Sequence, residues 1–185
     1  MYLPDGIHLN EGKHMNKIAV FGKPGSGKST MSKALALATG IQLHQLDSIV
    51  YQNNGDLVDR DIFDAAHEQI LESESWIIDG FGPLAAFDKR LRAADTLIYI
   101  DLPYFVSYWF VTKRLLKGLL VKPEGWPDGS SVFKGSLQSY KVLRLCPRFW
   151  NDDFRSRLNE FSASKNVYVI KTVDELNQFV VKSVQ

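Results

Sequence analysis

The chain has 185 residues, of which 45% are hydrophobic and 23% are charged. This length and composition indicate one sizeable core, and they argue against a disordered chain, a fibrous repeat or two independent domains. Lysine and arginine number 22 against 21 acidic residues, so the overall charge does not favour nucleic acid or an anionic membrane as the main partner.

The single cysteine and the N-terminal residues set expectations about compartment and domain limits. Cys146 has no partner for an internal disulfide, which fits a reducing cytoplasm, and we expect a buried thiol there. Residues 1–14 precede the first apolar strand and lack a secretory signal pattern. We therefore expect residues 1–14 to be an N-terminal extension, with its order left open, and residues 15–185 to form a single domain. The longest apolar stretch, 104–121, is broken by three cations and falls short of a membrane span, so we expect a cytoplasmic protein.

Short apolar runs alternate with segments of helical character, which is typical of parallel strands joined by crossover helices. The pattern predicts strands at residues 17–21, 41–46, 76–78, 96–100 and 167–170. It predicts helices at residues 28–39, 59–72, 83–94 and 104–120, one or two between 136 and 162, and one at 173–184. Most of the strand runs are continuously apolar, so both faces of the sheet should be buried. The fold class is α/β, with five strands in a central sheet.

Several helix ends can be located from the sequence. Gly40 stands where a left-handed C-terminal cap is expected, and residues 172–175 have the form of a capping box. Pro83 suits a first helical turn. Residues 122–135 are dense in turn formers, which predicts a loop or lid that interrupts the alternating pattern.

The most specific motif is Gly-x-x-x-x-Gly-Lys-Ser, which follows the first predicted strand and precedes the first predicted helix. Its segment comprises Gly22, Lys23, Pro24, Gly25, Ser26, Gly27, Lys28, Ser29 and Thr30. The glycines let the backbone curl so that its N–H groups point at phosphate oxygens, and the helix adds the positive end of its dipole. Lys28 is expected to reach the β- and γ-phosphates, and the Ser29 hydroxyl to bind Mg²⁺. The motif predicts a site for ATP or a close relative.

Three aspartates directly follow predicted strands, at the edge of the sheet where the loop opens. They are Asp47, Asp79 and Asp101. Asp101 ends the run Ile-Tyr-Ile-Asp and is the candidate for a Walker B-like carboxylate in the metal shell. Asp47 or Asp79 better suits orienting or deprotonating an acceptor hydroxyl, and spacing does not rank the two. Taken singly, each aspartate also fits a turn or a helix cap.

With these residues in place, the chain after Met15 resembles the adenylate-kinase-like P-loop proteins, and more closely the small bacterial family called DNA topology modulation proteins. The matching pieces are residues 22–30, 46–47, 76–80, 90–91, 94–95, 101–103 and 113–114. The resemblance implies a three-layer α/β/α P-loop fold whose five-stranded parallel sheet has the nucleoside-monophosphate-kinase arrangement. It also implies ATP with Mg²⁺ at the loop and a lid-like insertion at about residues 115–150.

The same resemblance implies roles for residues outside the loop. Asp47, Asp79 and Arg90 would face the acceptor, and Lys113 with Arg114 would lie near the base of the lid, where they could approach the transferring phosphates. The candidate catalytic residues are accordingly Lys28, Asp47, Asp79 and Arg114.

The chain also departs from the family pattern. Adenylate kinases carry an arginine soon after Asp-Gly-Phe-Pro, whereas no arginine stands between Asp79 and Arg90 here. Topology modulation proteins tend to have arginines where this chain has Tyr104 and Phe110. We expect the aromatic segment 104–110 to pack in the core rather than to stack on bases. The lid region contains four cations, for which two roles stay open: they close over the phosphates, or they form a solvated face. They are Lys134, Lys141, Arg144 and Arg148.

The leading functional hypothesis is a small-molecule or nucleotide kinase that moves the γ-phosphoryl group of ATP to an acceptor. The alternative is an ATP-dependent regulatory protein related to DNA topology, with slow or no turnover. A GTPase is disfavoured because no Asn-Lys-x-Asp sequence occurs, and an ABC-type ATPase because no Ser-Gly-Gly signature occurs. The four histidines, His8, His14, His44 and His67, lack metal-ligand spacing and receive no role.

Overall fold

The computed structural model describes residues 15–46, 49, 58–118 and 132–183. Within these ranges the strands are β1 Lys17–Gly22, β2 Leu43–Gln45, β3 Trp76–Asp79, β4 Thr96–Ile100 and β5 Asn166–Ile170. The helices are α1 Lys28–Thr39, α2 Arg60–Glu72, α3 Leu84–Ala93, α4 Tyr104–Gly118, α5 Val132–Phe149, α6 Asp152–Ser162 and α7 Val173–Ser183.

The five strands form one parallel sheet in the order β2-β3-β1-β4-β5. Strand β1 lies at its centre, and every residue of β3 and β4 is buried. Such burial agrees with the continuously apolar runs of the sequence, because both faces of a parallel sheet are covered by crossover helices. The predicted three-layer α/β/α architecture with a five-stranded parallel sheet is confirmed.

Two apolar clusters fill the space between the sheet and its helices. One is aromatic and includes Phe21, Phe87, Tyr99, Trp150 and Phe154, so it lies between the sheet and helices α3, α5 and α6. The other is mainly aliphatic and joins β1 and β4 to helices α1 and α7. The sheet is therefore the middle layer, and its carboxyl-terminal edge is where β1 continues into the loop before α1.

The predicted helix ends are mostly confirmed. Gly40 has φ 71° and its N–H donates to the carbonyl of Ala36. In the capping box of α7, Glu175 N–H donates to Thr172 Oγ1 at 3.1 Å and Thr172 N–H donates to Glu175 Oε2 at 3.3 Å. Pro83 is the residue that caps α3 rather than part of its first turn, because its ψ of 143° is extended.

The turn-rich segment and the aromatic segment differ from expectation. Helix α5 already begins at Val132, inside the predicted loop 122–135, whose residues before 132 lie outside the described ranges. On α4, Phe105 is 74% and Trp109 61% exposed, so the expectation that the whole segment packs in the core is wrong for these two rings. The face of α4 that meets the loop includes Ser107 and Val111, which are buried beside Gly25.

Candidate functional site

The loop between β1 and α1 has the backbone that the phosphate-loop motif requires. Gly22, Gly25 and Gly27 have φ values of 148°, 69° and 83°, which side-chain-bearing residues rarely adopt. A Cβ on Gly22 would lie 2.3 Å from the carbonyl oxygen of Ile100, and one on Gly25 would lie 2.6 Å from that of Ser107. Glycine is therefore required here by both conformation and space.

The loop presents the start of α1 as a site for an anion. Gly27 is the N-cap of α1 and supplies no side-chain cap, and the first helical backbone bond runs from Met31 N–H to the Gly27 carbonyl. The backbone N–H groups that precede it have no acceptor within the helix, so they can donate to phosphate oxygens. Ser29 and Thr30 are exposed in this first turn. The Lys28 ammonium lies over the loop and donates to the carbonyl of Lys23 at 2.8 Å.

Lys23 has an environment that the motif did not predict. Its side chain is only 2% exposed, and its ammonium forms an ion pair with Asp101 Oδ1 beneath the loop. The same ammonium lies 4.7 Å from the centre of the Tyr104 ring. On the other side, Arg155 Nη2 of α6 donates to Asp101 Oδ2 at 3.1 Å. Asp101 is thus shared by two cations from distant parts of the sequence.

The pKa values of Asp101 and Tyr99 are shifted by the groups around them. Burial alone would raise the pKa of Asp101, but the hydrogen bond and charge of Lys23, together with the hydrogen bond from Arg155, outweigh it and hold the pKa below its ordinary value. Burial, reinforced by the neighbouring Asp101 carboxylate, raises the pKa of Tyr99. Asp101 is therefore ionised at neutral pH.

The expected acceptor side lies at the end of β3. Asp79 is 4% exposed and pairs in register with Val20 of β1, just upstream of the phosphate loop. Arg90 of α3 is fully buried, and its Nη2 donates to the carbonyls of Gly80 at 2.8 Å and Phe81 at 3.0 Å. Burial lowers the pKa of Arg90 to about 9 while the Asp79 carboxylate acts in the opposite direction. Arg90 therefore remains a cation at neutral pH.

A buried histidine adjoins this group. His67 of α2 is 1% exposed and stacks on Phe63, with ring centroids 5.7 Å apart. Burial, followed by the charge of Arg90, lowers the pKa of His67 to about 4. No role is predicted for His67 from the sequence, in which its position on the same helical face as Phe63 is the signal for its burial.

The remaining predicted site residues fall in three places. Asp47 lies outside the described residues, so its role stays a prediction. Arg114 is half-buried where α4 meets α5, and its Nη2 donates to Ser139 Oγ at 2.7 Å. The predicted lid cations Lys141, Arg144 and Arg148 are exposed on α5.

Helix α5 approaches the phosphate loop through its inner face. Cys146 is a buried free thiol, as expected. Burial raises the pKa of Cys146, and the charges of Lys23 and Lys28 are close enough to act against that rise. On the outer face, Lys141, Arg144 and Arg148 with Leu145 line a shallow surface cavity of about 320 Å³. A larger surface cavity, of about 630 Å³, lies between α2 and α3.

The residues fit a magnesium ion in part. Ser29 presents an exposed hydroxyl at the loop, which suits a ligand to an ion that bridges phosphates. Asp101 fits less well, because both of its carboxylate oxygens already accept hydrogen bonds from cations. The described ranges contain no cluster of three or more histidine, cysteine or acidic side chains that could hold a metal ion by themselves.

Comparisons with known proteins identify the fold. A shikimate kinase from Bacteroides thetaiotaomicron superimposes with a TM-score of 0.52 at 13% identity, over 91% of this chain and 96% of that one. A gluconokinase from Sinorhizobium meliloti 1021 gives a TM-score of 0.48 at 18% identity, over 91% of this chain and 89% of that one. A deoxyadenosine kinase from M. mycoides gives 0.47 at 15% identity, over 89% and 94%. The similarity to the shikimate kinase supports a P-loop kinase fold.

Neither a family model nor a curated protein matches the sequence. Among the described helices, none combines the length and apolar character needed to cross a membrane.

Proposed function

We propose that the loop from Gly22 to Thr30 binds the phosphates of ATP and that the chain transfers the γ-phosphoryl group to a small acceptor. The observation that supports this most directly is the loop itself. Its three positive-φ glycines curl the backbone at the uncapped start of α1, and the ammonium of Lys28 lies across it. Backbone donors, a helix dipole and a cation converge there on one place, which favours a polyphosphate.

Two loop residues, Lys28 and Ser29, have different roles in holding the phosphates. Lys28 would leave the Lys23 carbonyl and pair with the β- and γ-phosphates as charge moves between them during transfer. Ser29 is the residue that would hold Mg²⁺, which when bound neutralises phosphate charge. We also propose that the protein works in the cytoplasm, where ATP is available and the Cys146 thiol stays reduced.

The acceptor would bind at the ends of β2 and β3. Its oxygen attacks the γ-phosphorus in line, the bond from that phosphorus to the β,γ-bridging oxygen breaks, and ADP leaves. If the acceptor is a hydroxyl, its proton passes to a carboxylate, for which Asp79 and Asp47 are the candidates. The charge of the buried Arg90 interacts with that of Asp79, so a fixed cation lies near this candidate.

The test is ADP release from Mg-ATP across nucleoside monophosphates, nucleosides and small hydroxylated or carboxylated metabolites. We expect one class of acceptor to stimulate release, and Lys28→Ala to abolish the stimulated rate. Lys33→Ala, which removes an exposed lysine further along α1, is the matched control and should retain it. ATP binding without stimulation by any acceptor would count against the kinase.

One observation favours the second candidate, a nucleotide-dependent binding protein of the DNA topology modulation type. Helices α4 and α5 contain seven lysine or arginine residues and no acidic residue, so all 21 acidic residues of the chain lie elsewhere. Exposed apolar side chains lie on the same two helices, including Phe105, Trp109 and Leu145. Cations beside exposed aromatic rings suit single-stranded nucleic acid, whose phosphates and bases they would contact.

The two candidates give different results with labelled single-stranded DNA. The second predicts binding that weakens steeply with salt and changes between ATP and ADP. If the protein is a kinase without this role, we expect no nucleotide-dependent binding of DNA. The rate of ADP release should then depend on the acceptor and not on DNA.

A further inference from the structure

Lys23 and Asp101 together form a buried connection beneath the phosphate loop. We infer that Asp101 anchors the loop through Lys23 and is not a ligand of the nucleotide's metal ion. This inference rests on the proposed function, because it takes the loop to bind a nucleotide. It adds that Lys23, Asp101 and Arg155 are positioning residues.

Lys23 and Asp101 compensate each other's charge in a buried place. The Lys23 side chain is 2% exposed and that of Asp101 11%, so neither charge is well solvated. Each compensates the other, and Arg155 engages the second carboxylate oxygen at 3.1 Å. A metal ion that took Asp101 as a ligand would displace a cation, and displacing Lys23 would leave a buried ammonium without its partner. Such a separation is strongly unfavourable.

The backbone on both sides of Lys23 is constrained. Gly22 before it has φ 148° with the Ile100 carbonyl closely packed against it, and Pro24 after it has its φ fixed by the ring. The Lys23 side chain therefore enters the space beside β4 from a backbone that has little freedom to turn. The Tyr104 ring covers its ammonium from α4, with 4.7 Å between them.

Lys23 also contacts the lysine that is expected to bind the phosphates. The carbonyl of Lys23 accepts the hydrogen bond from the Lys28 ammonium at 2.8 Å. Lys23, which Asp101 holds in place, thus also holds Lys28 beside the loop before Lys28 turns to the phosphates. Asp101 acts on the nucleotide through Lys23 and the shape of the loop, with or without a metal ion.

The first experiment measures the affinity of a non-hydrolysable ATP analogue in excess Mg²⁺ and again in EDTA, by calorimetry on the full chain. As an anchor, Asp101→Asn should weaken binding by a similar factor in both media. As a metal ligand, it should weaken binding at least about tenfold more in Mg²⁺ than in EDTA, and that result would overturn the inference. Ser29→Ala is the positive control for a metal-selective loss. Arg157→Gln, also on α6 but paired with Asp88, is the matched control.

The second experiment is independent of nucleotide. The midpoints of thermal unfolding are compared for wild type, Lys23→Met, Asp101→Asn and the double variant. We expect each single variant to lower the midpoint and the double variant to fall no further than the worse single one, since removing both charges leaves neither unpaired. Additive losses would show that the two residues do not act as a pair, and would overturn the inference.

The two experiments separate the possible failures. If wild type binds the analogue in neither medium, the proposed function fails, and the unfolding comparison alone decides the anchor. If Asp101→Asn does not fold, the double variant replaces it in calorimetry, because it lacks the unpaired lysine. An unchanged ratio of affinities between Mg²⁺ and EDTA is then expected for the anchor, and a selective loss in Mg²⁺ contradicts it.

Discussion

Gly25 and Gly40 have almost the same backbone conformation, with φ values of 69° and 71°, but opposite surroundings. A Cβ on Gly25 would lie 2.6 Å from the Ser107 carbonyl and 2.8 Å from Val111 Cγ2, whereas one on Gly40 meets nothing within 4 Å. Substituting alanine at each position therefore separates the effect of backbone strain from the effect of steric overlap.

We predict that Gly40→Ala lowers the free energy of unfolding by about 1 kcal/mol, through strain alone. Gly25→Ala should cost that amount and about 1–3 kcal/mol more, because α4 must move away from the loop. Urea unfolding of both variants measures the difference. Equal losses would mean that α4 does not pack against the loop as described.

His67 gives a prediction about pH. Its pKa is about 4 in the folded chain and ordinarily 6.5, so between these values the unfolded chain binds a proton that the folded chain does not. Stability therefore falls as pH falls through this window, by about 3 kcal/mol in all. About 2 kcal/mol of it should be lost between pH 7 and pH 5.

The measurement is urea unfolding at pH 7 and pH 5 for wild type and His67→Gln. The variant should lose about 2 kcal/mol less than wild type between the two pH values. The pKa of His44 is also lowered by burial, but His44 is present in both proteins and cancels in the comparison. Identical pH dependence in the two proteins would contradict a buried neutral His67.

The shape of the loop was predictable because it depends on local sequence, whereas contacts between distant residues were not. Lys28 and Ser29 stand within one motif whose glycines curl the backbone as expected, and their roles at the phosphates and the metal ion stay predictions. The contact of Lys23 with Asp101 joins residues 78 positions apart, and nothing in the spacing indicates it. Arg155 was missed for the same reason, because only the packing of α6 beside β4 brings it to Asp101.

At the scale of elements, the cap of α6 supports both the aromatic core and the Asp101 contact. Asn151 Oδ1 accepts a hydrogen bond from the Phe154 N–H at 3.0 Å, and Phe154 is buried among aromatic rings. We predict that Asn151→Ala lowers the free energy of unfolding by about 1 kcal/mol, since an orphaned N–H group loses its acceptor. Asn151→Asp retains an acceptor at the helix start and should stay within a few tenths of a kcal/mol of wild type.

Chemical denaturation of the two variants checks this prediction. If alanine and aspartate at position 151 gave the same stability, the side-chain cap would not be contributing. Thr172→Ala, which removes the cap of α7 on the other face of the sheet, provides a second capping site of known geometry and should also cost about 1 kcal/mol.

Element types were predictable because each pattern has a local cause. The predicted bounds of strand β4 and helix α1 match the structure to the residue. Strand β4 is continuously apolar, and helix α1 lies between the phosphate loop and Gly40. The start of α5 was not predictable from turn propensity, because burial of the helix's inner face, at Ser136, Leu143 and Cys146, outweighs it. Exposure of Phe105 and Trp109 likewise depends on what packs against α4.

At the scale of the molecule, the near-neutral total charge conceals a separation of charge. The formal net charge is +1 and the isoelectric point from the sequence is about 7.8, yet α4 and α5 carry only cations. Opposite charges spread evenly over a surface cancel at distances beyond a Debye length, whereas a one-signed region keeps its potential. The protein should therefore interact with polyanions even where its net charge is zero.

We predict that the protein binds a cation exchanger at low salt at pH 7.8, and that Lys141→Gln/Arg144→Gln/Arg148→Gln elutes at markedly lower salt. The matched control is Lys33→Gln/Arg92→Gln/Lys171→Gln, which removes the same charge from exposed positions outside α4 and α5. Net charge is equal in the two triple variants, so any difference in elution reports where the cations lie. Earlier elution of the α5 variant would establish this helix as the polyanion-facing surface. Equal elution would mean that the chain responds only to its net charge, which would remove the observation that favours a nucleic-acid partner over a kinase acting on small molecules alone.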